Sequence, residues 1–161
     1  MILCGCILTA QMQARSPAHS HNKLASEVEH VSFSTEDGGL NADLYGNGDR
    51  GLVFAHGGRF AKESWQPQAQ SLAGAGFRVL AFDFRGFDKS HRPGDSDMFT
   101  APMRLDVLAA VRYLRNNGAK TVAVMGGSFG GAAAADASIA SRPGEINQLI
   151  LLAAQGNGSA E

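Results

Sequence analysis

Apolar and polar residues alternate along Val28–Ser34 (VEHVSFS), the two-residue period of a strand with one buried face. Leu40–Tyr45 repeats that period after Asp37-Gly38-Gly39, a turn-forming run, so the two segments predict a hairpin. Gly46–Asp49 predicts a second turn. Gly51–Ala55, Phe77–Phe82, Thr121–Met125 and Gln148–Ala153 are short, continuous apolar runs, the pattern of strands buried on both faces. Between them the period lengthens to that of a helix. Glu63–Ala75 places Trp65, Ala69, Leu72 and Ala73 on one side. Pro102–Asn116 places Val107, Ala110, Val111 and Leu114 at i, i+3, i+4 and i+7, with Arg104, Arg112 and Arg115 outside that set. Gly118 follows where a glycine can cap the helix C-terminus. Ala132–Ala140 predicts a third helix, of small residues, ending before Pro143. Buried strands alternating with helices predict an α/β fold, with a mostly parallel sheet covered by helices on both faces.

Composition narrows the choice of function. The 161 residues carry 14 Lys+Arg against 15 Asp+Glu, a formal net charge of −1. That balance excludes the concentrated basic surface of a nucleic-acid binder. No run approaches the ~18 apolar residues of a membrane span. Glycine is the outlier, 20 of 161 residues or about 12% against a usual ~7%. Both cysteines, Cys4 and Cys6, lie in the first ten residues, so no disulfide can staple the body.

Met1–Ala10 (MILCGCILTA) is apolar and the following Gln11–Leu24 is polar, which reads as a signal-like segment over residues 1–24, with the domain in 25–161. Leu3-Cys4-Gly5-Cys6 loosely resembles a bacterial lipoprotein box, which would lipidate Cys6. The expected location is outside the cytoplasm if this segment acts as a signal, and cytoplasmic otherwise. His19 and His21 read as part of a solvated tail, and no metal or cofactor is expected.

The chemistry is concentrated after the third apolar strand run. Thr121–Met125 leads straight into Gly126-Gly127-Ser128-Phe129-Gly130, a Gly-x-Ser-x-Gly run between a predicted strand and helix. That context is the one a nucleophile elbow requires. The serine sits on a tight turn that projects its Oγ above the sheet. Side chains two residues to either side would collide, which accounts for Gly126 and Gly130. The helix N-terminus offers the Phe129 N–H to an anionic oxygen. Separately, Gly51–Ala55 ends in His56-Gly57-Gly58, whose glycines can turn backbone N–H groups toward the same place. Gly46-Asn47-Gly48-Asp49-Arg50-Gly51 matches a dinucleotide-binding pattern but precedes a strand instead of following one, so it reads as a turn.

These residues resemble the α/β-hydrolase family, close in character to dienelactone-hydrolase-like and serine-esterase-like members, from about Val28 to Ala153. His56-Gly57-Gly58 looks like the family's oxyanion loop. Phe82-Asp83-Phe84-Arg85-Gly86-Phe87-Asp88-Lys89-Ser90 looks like its loop after the fourth strand, with Asp88 where the family usually has glycine. The resemblance implies Ser128 as nucleophile, and Gly58 N–H with Phe129 N–H as oxyanion donors. Gly57 and Arg59 are alternatives on the same loop. His56 and Gly57 are expected to support it. A small-molecule acyl substrate is implied, attacked by Ser128 with a histidine as base and a carboxylate orienting that histidine.

The remainder of the implied triad is missing. The family order is serine, acid, histidine, yet no histidine follows Ser128, and the only later acids are Asp136, Glu145 and Glu161. His91 would need a geometry the family does not use, and His30 reads as a surface residue of the hairpin. The chain is therefore expected to be a C-terminally truncated hydrolase, or alternatively a catalytically incomplete binding or interaction module. Truncation would leave Gln148–Ala153 as an exposed apolar edge, so self-association through residues 148–153 is expected. Asn157-Gly158-Ser159 matches a glycosylation sequon.

Overall fold

The computed structural model describes residues 27–35, 38–87, 90 and 102–153. The signal-like segment with Cys6, His19 and His21, the sites Asp88 and His91, and the sequon at 157–159 lie outside them.

Among the described residues six strands form one sheet: β1 (Val28–Thr35), β2 (Gly38–Tyr45), β3 (Arg50–Ala55), β4 (Phe77–Phe82), β5 (Thr121–Gly127) and β6 (Gln148–Leu152). Their order across the sheet is β1-β2-β4-β3-β5-β6. β1 and β2 pair antiparallel, as do β2 and β4, while β4, β3, β5 and β6 run parallel. The described helices covering the sheet are α1 (Gln66–Gly74), α2 (Met103–Asn116) and α3 (Phe129–Ala140).

The helices divide between the two faces. On one, Val107, Ala110, Val111 and Leu114 of α2, with Ala133, Ala134 and Ala137 of α3, pack on Val53, Leu80, Val122 and Val124. On the other, Ala69 and Ala73 of α1 pack on Leu52, Phe54, Val79 and Ala81. Each fully buried Val or Leu side chain contributes roughly 1.5–3 kcal/mol relative to exposure, so the α2 stripe is a principal anchor of the fold. The small residues of α3 bring its backbone close to the sheet.

Several boundaries differ from the sequence expectation. Glu63–Ala75 is not one helix: a 3-10 turn covers Lys62–Trp65 and α1 begins at Gln66. Pro67 accounts for the break: it has no N–H to donate to the Glu63 carbonyl four residues earlier, which accepts the Gln66 N–H in a 3-10 bond instead, and proline is tolerated in a first helical turn. Gly38 and Gly39, expected in a turn, belong to β2, opposite Thr35 and Ser34. β5 runs two residues beyond Met125, since the ladder with β6 needs only backbone groups at Gly126 and Gly127. α3 begins at Phe129, three residues before Ala132, because Ser128 itself turns the chain into the helix. Gly118, at φ +99°, follows α2 as expected of a capping glycine.

β6 has the sequence of a central strand, yet it pairs only with β5 among the described residues. Leu151 and Leu152 are 44% and 45% exposed there.

Candidate functional site

β3 and β5 are parallel neighbours with Ala55 opposite Gly126, so the chain leaves both strands at the same edge of the sheet, side by side. Ser128 follows β5 at φ 49°, ψ −115°, and its side chain is exposed. This left-handed φ is uncommon for a non-glycine residue and costs of order 1–3 kcal/mol. Only Ser128 and Ala153 share it among the described non-glycine residues.

The glycines around Ser128 differ in necessity. A Cβ on Gly126 would overlap the Gly130 carbonyl oxygen and lie 2.7 Å from Gly131 N. A Cβ on Gly130 would overlap the Ala55 carbonyl oxygen and lie 2.5 Å from that of His56. Gly130 is thus the point where α3 touches the end of β3. A Cβ on Gly127 would meet only Trp65 Cζ2, at 3.6 Å, an ordinary contact. Trp65 is held by stacking on Phe54 at 4.5 Å between ring centroids, so its ring borders the junction.

Phe129 is the first residue of α3, and such an N–H has no intrahelical partner. Gly58 lies in the turn after β3, and among the described residues its N–H has no hydrogen-bond acceptor. Gly57 adjoins the other loop: a Cβ there would lie 3.5 Å from the Gly127 carbonyl oxygen.

His56 is fully buried. Its Nδ1 lies 2.8 Å from the Gly57 carbonyl, and the Phe84 N–H lies 3.2 Å from its Nε2. The carbonyl can only accept and the amide can only donate, so Nδ1 carries the proton and Nε2 is bare. Burial pushes its pKa below the ordinary value, against a smaller opposing effect of the Gly57 bond. Both ring nitrogens are occupied by backbone groups, which leaves neither for taking a proton from Ser128. His30 lies on β1 with Nδ1 2.7 Å from Asp43 Oδ1.

The segment after β4 carries more than its motif resemblance announced. Arg85 and Asp106 form a buried, multiply hydrogen-bonded ion pair that ties this segment to α2, with Arg85 N–H also donating to Asp106 Oδ2 at 3.0 Å. Phe84 packs edge-on against Phe129 at 5.3 Å, and against His56 at 5.1 Å. Phe87 also packs edge-on against His56, at 4.9 Å. Asp83, Lys62 and Asp106 received no role from sequence, and their partners lie about 21 residues away along the chain. A cavity of about 380 Å³ between β1 and α2, lined by Phe33, Arg112 and Tyr113 among others, does not include Ser128 in its wall. Among the described residues no helix is long and apolar enough to cross a membrane.

Residues 52–160 match the alpha/beta hydrolase fold family. The chain belongs to the α/β-hydrolase family. Its mostly parallel sheet with helices on both faces agrees with the fold expected from the sequence. One relative of this α/β-hydrolase chain is an epoxide hydrolase of Caballeronia sordidicola, 30% identical over 73 residues, covering 45% of this chain and 22% of the relative. Another is dipeptidyl aminopeptidase BIII of Pseudoxanthomonas mexicana, 32% identical over 112 residues, covering 63% and 16%. Among solved structures, an epoxide hydrolase from an endophytic Streptomyces superposes with a TM-score of 0.65 at 29% identity, covering 77% of this chain and 36% of that one. The chain thus spans well under half the length of these relatives.

Proposed function

We propose that this α/β-hydrolase chain carries the nucleophile half of a serine hydrolase acting on an ester or related acyl substrate. The observation that carries the reading is Ser128: a serine at strained, positive φ, exposed between a parallel strand and a helix N-terminus. In this reading Ser128 Oγ attacks the substrate carbonyl carbon. Gly58 N–H and Phe129 N–H stabilise the resulting oxyanion, each such donor typically contributing ~2.7–4 kcal/mol. The tetrahedral intermediate then expels the alcohol and leaves an acyl-serine, which water hydrolyses. Gly126 and Gly130 allow the turn, and His56 with Gly57 holds the neighbouring loop. Such acyl transfer needs no metal or cofactor.

The chemistry of serine also favours acyl over epoxide substrates, whatever the names of the relatives. Serine opening an epoxide would leave a dialkyl ether, which has no carbonyl for water to attack, so turnover would stop at the alkylated enzyme. An acyl-serine ester can be hydrolysed.

A second reading, a catalytically incomplete binding or interaction module, is favoured by one observation. His56, beside the junction, has both ring nitrogens engaged by backbone groups. A hydroxyl without an adjacent base is a poor nucleophile.

The two readings separate with a fluorophosphonate probe and a p-nitrophenyl ester applied to the native gene product. Labelling and hydrolysis that both vanish in Ser128→Ala are expected of the enzyme. Labelling that persists in the variant overturns Ser128 as nucleophile, and an unreactive wild type supports the binding module.

A further inference from the structure

Both ends of the loop carrying Gly57 and Gly58 are held by two consecutive residues after β4. At the start, the Phe84 N–H donates to His56 Nε2 at 3.2 Å. At the end, the Lys62 N–H donates to Asp83 Oδ1 at 2.8 Å. Between these points the Gly57 carbonyl accepts from His56 Nδ1 at 2.8 Å and from the Phe60 N–H at 3.0 Å. The loop is therefore a short clasp, closed on itself and fastened at both ends to Asp83-Phe84. The fastening is rigid, because Arg85, the next residue, is paired with buried Asp106 on α2.

Asp83 is fully buried, with His56 Nε2 3.7 Å from its Oδ1. The Lys62 ammonium, itself mostly buried, lies 3.7 Å from Asp83 Oδ2 and 3.8 Å from Asp43 Oδ2, and pairs directly with Glu63. Burial disfavours its charge, but the Glu63 hydrogen bond and the carboxylates of Asp43 and Asp83 outweigh that, and its pKa is raised. Lys62 thus meets Asp83 twice, through its backbone amide and through its ammonium. A hydrogen bond to an ionised acceptor is roughly twice as strong as a neutral one.

We infer that Asp83 is a positioning residue: its carboxylate, acting on Lys62, sets where the Gly58 N–H points beside Ser128. This rests on the reading of Gly58 as an oxyanion donor. An oxyanion donor must sit within a few tenths of an ångström of its place, and a 1 Å displacement costs ~10²-fold in rate.

The test compares Asp83→Ala and Asp83→Asn in the native gene product, measuring amide hydrogen exchange across residues 57–62 together with kcat and KM for p-nitrophenyl acetate. Exchange is read whether or not the ester turns over. In Asp83→Ala, exchange across 57–62 should rise at least ~10-fold while α2 and β5 keep wild-type protection, and kcat should fall ~10²-fold with KM little changed. Asp83→Asn keeps an acceptor oxygen and loses the charge, so it should fall between the two in both measurements. Unchanged exchange in a folded Asp83→Ala overturns the inference and leaves the function reading intact. Faster exchange with an unchanged, Ser128-dependent kcat removes Gly58 from the oxyanion role instead, and the positioning role with it. If the alanine variant unfolds throughout, the asparagine variant decides alone: wild-type exchange and kcat there overturn the inference.

Discussion

The Ser128 N–H donates to the Leu152 carbonyl at 2.8 Å, joining the strained turn after β5 to the last residue of β6. Strand β6 therefore helps to hold Ser128 in a backbone conformation that serine does not prefer. Replacing Ser128 by glycine should release that strain, whereas replacing it by alanine should not. We expect Ser128→Gly to be more stable than Ser128→Ala by about 1 kcal/mol, after allowing for the greater chain entropy of unfolded glycine. Urea unfolding of the two variants measures this, and equal midpoints would count against strain at Ser128.

The glycines of the junction should not be interchangeable. Gly130→Ala forces a methyl group into the backbone at the end of β3, and should cost about 1–3 kcal/mol or more. Any Ser128-dependent labelling should be lost with it. Gly127→Ala adds an ordinary contact with Trp65 and should keep both fold and labelling. Thermal unfolding and probe labelling of the two variants give a direct comparison.

His56 makes stability depend on pH in a defined direction. Its folded pKa is lowered from 6.5, so the unfolded chain binds the proton more readily. The stabilisation is fully present above pH 6.5, and it is lost as pH falls from there through the lower folded value. Between pH 7 and 5 the unfolding free energy of the wild type should drop more steeply than that of His56→Gln, by at most about 1.4 kcal/mol per pH unit. Identical slopes would mean that His56 is not held neutral.

The fold was largely legible in the pattern of apolar residues, because strands buried on both faces leave continuous runs. Phe77–Phe82 was located to the residue for that reason. Glycines hid the boundaries: Gly38, Gly39, Gly126 and Gly127 have no side chain to join a pattern, yet all four sit in strands. At the site, Ser128 and its flanking glycines were legible because sterics demand that local spacing. Asp83 and Lys62 were not. Their partnership spans 21 residues, and no local period marks a carboxylate that will be buried under a distant loop.

The outer side of β6 should govern solution behaviour. With Leu151 and Leu152 nearly half exposed on a strand that, among the described residues, pairs only with β5, the 161-residue chain expressed alone should self-associate. Leu151→Lys should shift it toward monomer in sizing chromatography. A wild type that elutes as a monomer at tens of micromolar would sink this expectation.

The strand order also has a temporal side. β3 lies between β4 and β5, but β5 is made last of the three. During synthesis, 38 residues separate the end of β4 from the start of β5. At ~5–20 residues per second, that leaves Leu52–Ala55 with one unpaired side for roughly 2–8 seconds in every round of translation. The neighbourhood that places Gly57 next to Ser128 in the finished protein thus exposes a bare apolar strand on the ribosome, where shielding by a chaperone would matter most.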